Sequence, residues 1–369
     1  MDIGLLSEIL NIDSTSGKEA ALADFIAERL AAPGRNVSTF DVGDGTKNVL
    51  ISWGKPKVVF CTHLDTVPPF IPHVSDDDQI TGRGTCDAKG QIFAMYESCR
   101  ILESKGYDGF ALLFLAGEET GSFGAKSFAS MVAEGLVKDF DEAELVIVGE
   151  PTDNCMASAA KGTKSFEVTF EGSAFHSGYP EFGSSAILYF NDFMNALRSI
   201  VFPQDVILGE TTWNVGKLIS DNPQNILSDR LSCKVYFRTT FESDEMVCNI
   251  MKNIAGPQAR LRFGCPQVQD GSDIVAKEVA PWQKAMSVVA FGGDSPTRFE
   301  VLDGFPSKPV AFGSDAPQLT NCPNKILCGP GSILVAHRDD EHVALADLEK
   351  AVENYVKIYE QLRPVSILD

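Results

Sequence analysis

Apolar residues recur along this chain in two rhythms. From about Lys18 to Ala31, Leu22, Phe25, Ile26 and Leu30 make one stripe at the helical period. Ser16 and Glu19 read as a capping box ahead of it, and Pro33-Gly34 as its stop. Short apolar runs at Val37–Phe40, Val49–Ser52 and Val58–Cys61 predict strands. A helical stretch follows over about Lys89–Ser104, then a strand at Phe110–Leu115, a helix near Ala125–Glu134 and a strand at Leu145–Val148. Strands and helices that alternate, with the strands short and wholly apolar, predict an α/β layer: a mixed, mostly parallel sheet flanked by helices.

The rhythm changes after about Gly162. Ser165–Phe170 alternates as a half-buried strand does, Ala186–Ile200 is helical, and Trp213–Ile219 and Leu231–Thr239 read as strands. Glu242–Ile254 is helical again and Arg260–Phe263 strand-like. The order βαββαβ is that of a ferredoxin-like α+β sandwich. The α/β pattern resumes near Trp282 and ends in a helix from about Asp340 to Leu362. The expected organisation is one discontinuous domain, residues 1–162 and 278–369, with a second domain, 163–277, inserted into it. A length of 369 residues agrees with two domains.

Acidic residues outnumber basic ones, 51 to 31, for a net charge of −20. Such a surface repels phosphate backbones and argues against a nucleic-acid partner, though one local arginine can still hold a small anion. No apolar run reaches the length of a membrane span, and the acidic start, Met1 to Leu10, does not read as a signal peptide. Nine cysteines with no C-x-x-C pair suggest reduced thiols and a cytoplasmic setting.

The candidate chemistry sits at strand ends, where open α/β sheets bind ligands. His63 follows the Val58–Cys61 run, and Asp65 lies two residues on, placed to fix an imidazole tautomer. Asp87 stands in Gly82-Arg83-Gly84-Thr85-Cys86-Asp87-Ala88-Lys89-Gly90, just before a helix, where a carboxylate taken alone reads as a cap before it reads as a ligand. Glu118-Glu119 follows Phe110–Leu115, and Glu150-Pro151 follows Leu145–Val148. Each alone reads as readily as a loop histidine or a solvated acidic turn. Four strand-end groups together, adjacent carboxylates among them, point to a cation. Phosphate-loop, nucleophile-elbow, H-E-x-x-H and dinucleotide motifs are absent, and Cys61 and Cys86 read as packing residues. His73 reads as a loop residue and His342 as a solvated position on the last helix.

His63-x-Asp65, Asp87-x-Lys89-Gly90, Glu118-Glu119, Gly149-Glu150-Pro151-Thr152 and a late His337 resemble, in order along nearly the whole chain, one metallopeptidase family. It is the family of acetylornithine deacetylase, succinyl-diaminopimelate desuccinylase, aminoacylase and carboxypeptidase G. The tail Gly329-Pro330-Gly331-Ser332 through His337 and Glu341 is most similar to the acetylornithine deacetylase branch. The resemblance implies a zinc-exopeptidase type of catalytic domain whose inserted domain is a lid that also forms a homodimer. It implies two Zn²⁺ per subunit, replaceable by Co²⁺ or Mn²⁺. Asp87 would bridge them, with His63 and Glu150 on one ion and Glu119 and His337 on the other. It further implies Glu118 as general base, Asp65 as the residue orienting His63, and a cis peptide at Asp87–Ala88. His176, in Gly172-Ser173-Ala174-Phe175-His176-Ser177, would stabilise an oxyanion in a neighbouring subunit. Asn225 and Arg238, thirteen residues apart, would bind substrate, Arg238 through its α-carboxylate, with backbone at Gly313 and Ser314 close by. Two positions depart from the family pattern: Tyr236 replaces an acid and Ser228 a proline. The implied activity is removal of an acyl group from a small N-acyl amino acid, N-acetylornithine first, with desuccinylase and dipeptidase or carboxypeptidase as relatives. An inactive acyl-amino-acid binder or scaffold would have no need of Glu118.

Overall fold

The structure is a computed structural model that describes residues 3–362 apart from 44, 139, 141 and 262–278. The chain divides into two compact units. The first comprises residues up to Ser158 together with Arg298–Lys308 and the stretch from Ser314 on; the second comprises Ala159–Thr297 and Pro309–Gly313.

The first unit is built on a six-stranded sheet. Its order is Asn36–Gly43, Thr46–Trp53, Phe110–Leu115, Val58–His63, Leu145–Val148, Asn324–Leu327. The last four run parallel and the first two are antiparallel additions at one edge. Every residue of Val58–His63, Phe110–Leu115 and Leu145–Val148 is buried, as strands covered on both faces must be. Helices Lys89–Ser104 and Leu345–Leu362 pack on each other beside the sheet. Phe60 meets the Tyr355 ring edge-on at 5.9 Å, and the Tyr355 hydroxyl donates to the Cys328 carbonyl at 2.9 Å. Burying a side chain such as Phe60 stabilises the fold by about 1.5–3 kcal/mol, and this layer contains many.

The second unit carries an antiparallel sheet in the order Thr212–Ile219, Arg230–Thr239, Gly162–Glu171, Met286–Gly292. Arg230–Thr239 alternates between buried and more open positions, because helices cover only one face of the sheet. Ala186–Ser199 and Asp244–Asn253 supply Phe193, Leu197, Val247 and Met251 to that core. This is the ferredoxin-like order, but its fourth strand is Met286–Gly292. The expected strand Arg260–Phe263 runs beyond the described residues, and Arg260 and Leu261 are not in a strand. The second unit therefore extends to Thr297, twenty residues past the expected boundary.

Three local expectations are corrected. The capping box does not form: helix Ala20–Arg29 starts after Glu19, whose carboxylate reaches back to the Gly17 N–H at 2.8 Å, while the Ser16 hydroxyl goes to Asp65. The last helix begins at Leu345, and His342 lies in a short strand paired with Gln79–Thr81. A helix at Ile3–Leu10, which the sequence reading did not identify, buries Leu5, Leu6, Ile9 and Leu10 in the same core. Among the described residues no helix is long and apolar enough to cross a membrane.

Candidate metal centre

Parallel register sets His63 opposite Leu115 and Cys61 opposite Val148, so the residues leaving these strands gather at the carboxyl edge of one sheet. His63 ends its strand and is buried. After Leu115 the chain turns at Gly117, with φ +69°. A Cβ there would fall 1.6 Å from Phe123 Cε1, so only glycine permits the turn that presents Glu118 and Glu119. The Gly149 N–H extends the ladder by donating to the Cys61 carbonyl at 2.8 Å, which delivers Glu150, buried, at the next strand end.

Asp87 enters from the turn before helix Lys89–Ser104. It does not cap that helix; Ala88 holds the cap position. Its carboxylate instead lies between two imidazoles, Oδ1 at 2.9 Å from His63 Nε2 and Oδ2 at 3.2 Å from His337 Nε2. His337 Nε2 is also 2.8 Å from Glu119 Oε1. One donor atom each from His63, Asp87 and Glu150 lie within 4.8 Å of one another, and so do donors of Asp87, Glu119 and His337. Asp87 belongs to both triads. The Asp87–Ala88 peptide is cis.

Asp65 organises this edge from behind. Its carboxylate is fully buried and accepts from Ser16 Oγ at 2.9 Å, the Glu118 N–H at 3.0 Å and the Glu119 N–H at 3.2 Å. His63 Nδ1 lies 2.9 Å from the Asp65 carbonyl and 3.4 Å from its carboxylate, which leaves Nε2 aimed at Asp87. The Asp65 carboxyl is held below the usual range: burial opposes ionisation, but the His63 ring and these donors outweigh it.

Charge is crowded here. Burial pushes the Glu118 carboxyl well above the usual range; Asp315, Glu119 and Asp87 push it further, against His63. Glu150 is raised by burial, then by Asp87 and Glu118. Burial disfavours the His63 imidazolium, yet Asp65 and Asp87 raise its pKa. The His337 imidazole is pushed up to about 10 by Asp87 and Glu119. Carboxylates that repel each other in a buried cluster are the surroundings a cation relieves.

The second unit holds other expected residues. His176 is exposed, its Nδ1 accepting from the Gly178 N–H at 3.0 Å and its ring near Tyr179. The neighbouring Ser177 N–H donates to the Asn225 carbonyl at 2.9 Å, so His176 and Asn225 come together. Arg238 lies over the Tyr236 ring at 5.0 Å, and among the described residues no carboxylate forms an ion pair with it. Gly313 lies beside it: a Cβ there would be 3.8 Å from Arg238 Nη1. Ser228 is buried and bonds to Ser220 and the Arg230 carbonyl. Ser314 belongs to the first unit, buried, its hydroxyl accepting from the Ala316 N–H.

Residues 59–361 match the model of peptidase family M20/M25/M40. The chain belongs to this family. A peptidase M20 domain-containing protein of Schizosaccharomyces pombe is 32% identical over 370 residues, 96% of this chain and 83% of that protein. A probable carboxypeptidase of Aspergillus niger is 30% identical, over 96% of this chain and 88% of its own. Among solved structures, a tripeptidase from Staphylococcus aureus superposes with a TM-score of 0.75 at 19% identity, covering 96% of each chain. The chain is thus an enzyme of the M20 peptidase family, with the mixed α/β fold that family shares.

The donor set suits divalent metal. Two atoms each about 2.0–2.2 Å from one zinc ion are separated by no more than about 4.4 Å, so each triad needs only small adjustments to close on an ion. Two imidazoles with carboxylates form a nitrogen and oxygen set of the kind zinc takes. In the sequence Ser16 reads as half of a capping box. Its real partner, Asp65, lies 49 residues away, and no local spacing signals that pairing.

Proposed function

We propose that this enzyme hydrolyses an amide bond whose amine-side residue carries a free α-carboxylate, with two divalent ions, zinc best suited, held by the triads that share Asp87. The observation that carries the reading is that shared carboxylate with Glu118 beside it. Bound ions would supply Lewis acidity and lower the pKa of a water at the site. Glu118 takes a proton from the attacking water and returns it to the leaving amine. Asp65 fixes the His63 ring and the backbone that carries Glu118 and Glu119. Arg238, which among the described residues has no carboxylate partner, grips the substrate carboxylate, with Asn225 and the backbone of Gly313 and Ser314 completing the contacts. His176 donates to the developing oxyanion, and in a homodimer it does so for the neighbouring subunit. The outer strand Thr212–Ile219, with Leu218 and Ile219 exposed, is the edge such a dimer would use.

Two substrate classes fit this chemistry. Release of a C-terminal residue from a peptide is favoured by the curated relative named a probable carboxypeptidase. Deacylation of an N-acyl amino acid, N-acetylornithine first, is favoured by the resemblance of the Gly329–Ser332, His337 and Glu341 tail to deacetylases. A turnover screen with added zinc or cobalt should compare dipeptides and tripeptides with N-acetyl and N-succinyl amino acids, each beside its C-terminal amide. Cleavage of a free acid with poor cleavage of its amide is expected. Equal cleavage of acids and amides, or none of any, would overturn the reading.

A further inference from the structure

We infer that the buried Arg83–Glu341 pair is a positioning device that sets Asp87 and His337 at the separation a second metal ion requires. The inference rests on the two-ion reading above. Glu341 is fully buried and Arg83 nearly so. Glu341 Oε1 accepts three backbone N–H groups from the turn that carries the shared ligand: Gly84 at 2.9 Å, Cys86 at 3.1 Å and Asp87 at 3.1 Å. Three N–H groups aimed at one oxygen form an anion-binding nest, and here its anion is the protein's own carboxylate. Oε2 accepts Arg83 Nη1 at 2.5 Å. The same nitrogen donates to the Arg338 carbonyl at 3.1 Å, and Arg83 Nε donates to the Pro69 carbonyl at 3.3 Å. The Gly82 N–H closes the circuit on the Glu341 carbonyl at 2.8 Å.

The pair therefore joins two segments more than 240 residues apart, the 82–87 turn and the 337–341 stretch, each bearing a ligand of the same triad. His337 sits at φ +65°, a backbone region a non-glycine residue keeps only when its surroundings hold it there. A buried ion pair is weak evidence for stability, since an apolar replacement often serves as well. Fixing the position of Asp87 and His337 is a use no apolar pair could serve, because only an acceptor can hold the three N–H groups of the turn. Glu119 arrives on another turn, fixed by Asp65, and His63 and Glu150 sit at the ends of buried strands. The ion of Asp87, Glu119 and His337 therefore depends on this pair more than the ion of His63, Asp87 and Glu150.

The test is cobalt(II) titration of metal-free Glu341→Gln and Arg83→Lys, read by absorbance and calorimetry, with chemical denaturation of each metal-free protein alongside. His337→Ala identifies the spectrum of the ion at His63, Asp87 and Glu150. Loss of an outer partner costs about 10–100-fold in metal affinity. In Glu341→Gln the ion at Asp87, Glu119 and His337 should weaken by that factor and the other by less than about tenfold. Arg83→Lys keeps the charge but not the fork, and should weaken the same ion part-way. Wild-type affinity for both ions, or equal weakening of both, would overturn the inference. If Glu341→Gln does not fold, unchanged second-ion affinity in Arg83→Lys overturns it equally. A wild-type protein that binds one ion only would remove the two-ion reading itself, a result distinct from two ions that ignore Glu341.

Discussion

Replacing Asp65 with asparagine changes one buried oxygen to an amide nitrogen and should disturb the metal centre without touching a metal ligand. The carboxylate accepts from Ser16 Oγ and from the N–H groups of Glu118 and Glu119. An asparagine has a single acceptor oxygen. If that oxygen faces Glu118, the Glu119 N–H meets an NH₂ group; if it flips, the Glu118 N–H does. One backbone donor is orphaned either way, and an orphaned buried donor costs about 1–3 kcal/mol. Ser16 can rotate its hydroxyl to accept, so Ser16→Ala should cost less than Asp65→Asn. Denaturant unfolding of the metal-free proteins measures both. The same change frees the turn that carries Glu118 and Glu119 and weakens the hold on His63, so metal affinity or kcat/KM should fall about 10–100-fold. An Asp65→Asn enzyme less stable yet unchanged in metal affinity and kcat/KM would refute Asp65 as organiser of the site and leave it a folding residue.

Three further outcomes follow from the proposed function and from the charges at the site. Arg238→Ala would remove one partner of the proposed pair with the substrate carboxylate, a loss of about 2–5 kcal/mol, so kcat/KM should fall roughly 30- to 5,000-fold and the preference for acid over amide substrates should shrink; an unchanged preference would place the carboxylate elsewhere. Metal uptake by the metal-free protein at pH 7 should release protons. His337, raised to about 10, and His63, also raised, are protonated below their pKa values and must lose that proton to bind, so affinity climbs as pH rises toward about 10. Calorimetric heats independent of the buffer's ionisation enthalpy would contradict this. If the proposed homodimer forms and His176 serves the neighbouring subunit, mixed dimers of His176→Ala and Asp87→Ala subunits should regain up to about half of wild-type activity, since one of two sites is whole; no recovery after demonstrated exchange would confine His176 to its own subunit.

The strand ends were legible because parallel strands buried on both faces are continuous apolar runs, and whatever follows them must lie at one sheet edge. That is why His63, Glu118, Glu119 and Glu150 could be named in advance as neighbours. Asp87, before a helix, reads locally as a cap as well as a ligand, and His337 has no local signal at all; only its place in an ordered set of motifs singled it out. The Ser16–Asp65 bond and the Arg83–Glu341 pair join residues far apart in sequence, so Ser16 reads as a cap and Glu341 only as part of a tail motif with no partner assigned. The fourth strand of the second unit was misplaced for a related reason. Arg260–Phe263 alternates charged and apolar residues and Met286–Gly292 is a largely apolar run; both follow a helix and suit a strand, and it is Met286–Gly292 that pairs with Gly162–Glu171.

The central claim is a two-ion centre served by Glu118 as base. The most direct measurement is the metal content and turnover of Glu118→Gln after reconstitution with zinc. Two ions per chain, as in the wild type, with turnover lower by ~10²–10⁴-fold, is the predicted result. A variant that loses an ion would make Glu118 a ligand, and one that keeps full turnover would show that the proton moves through another group.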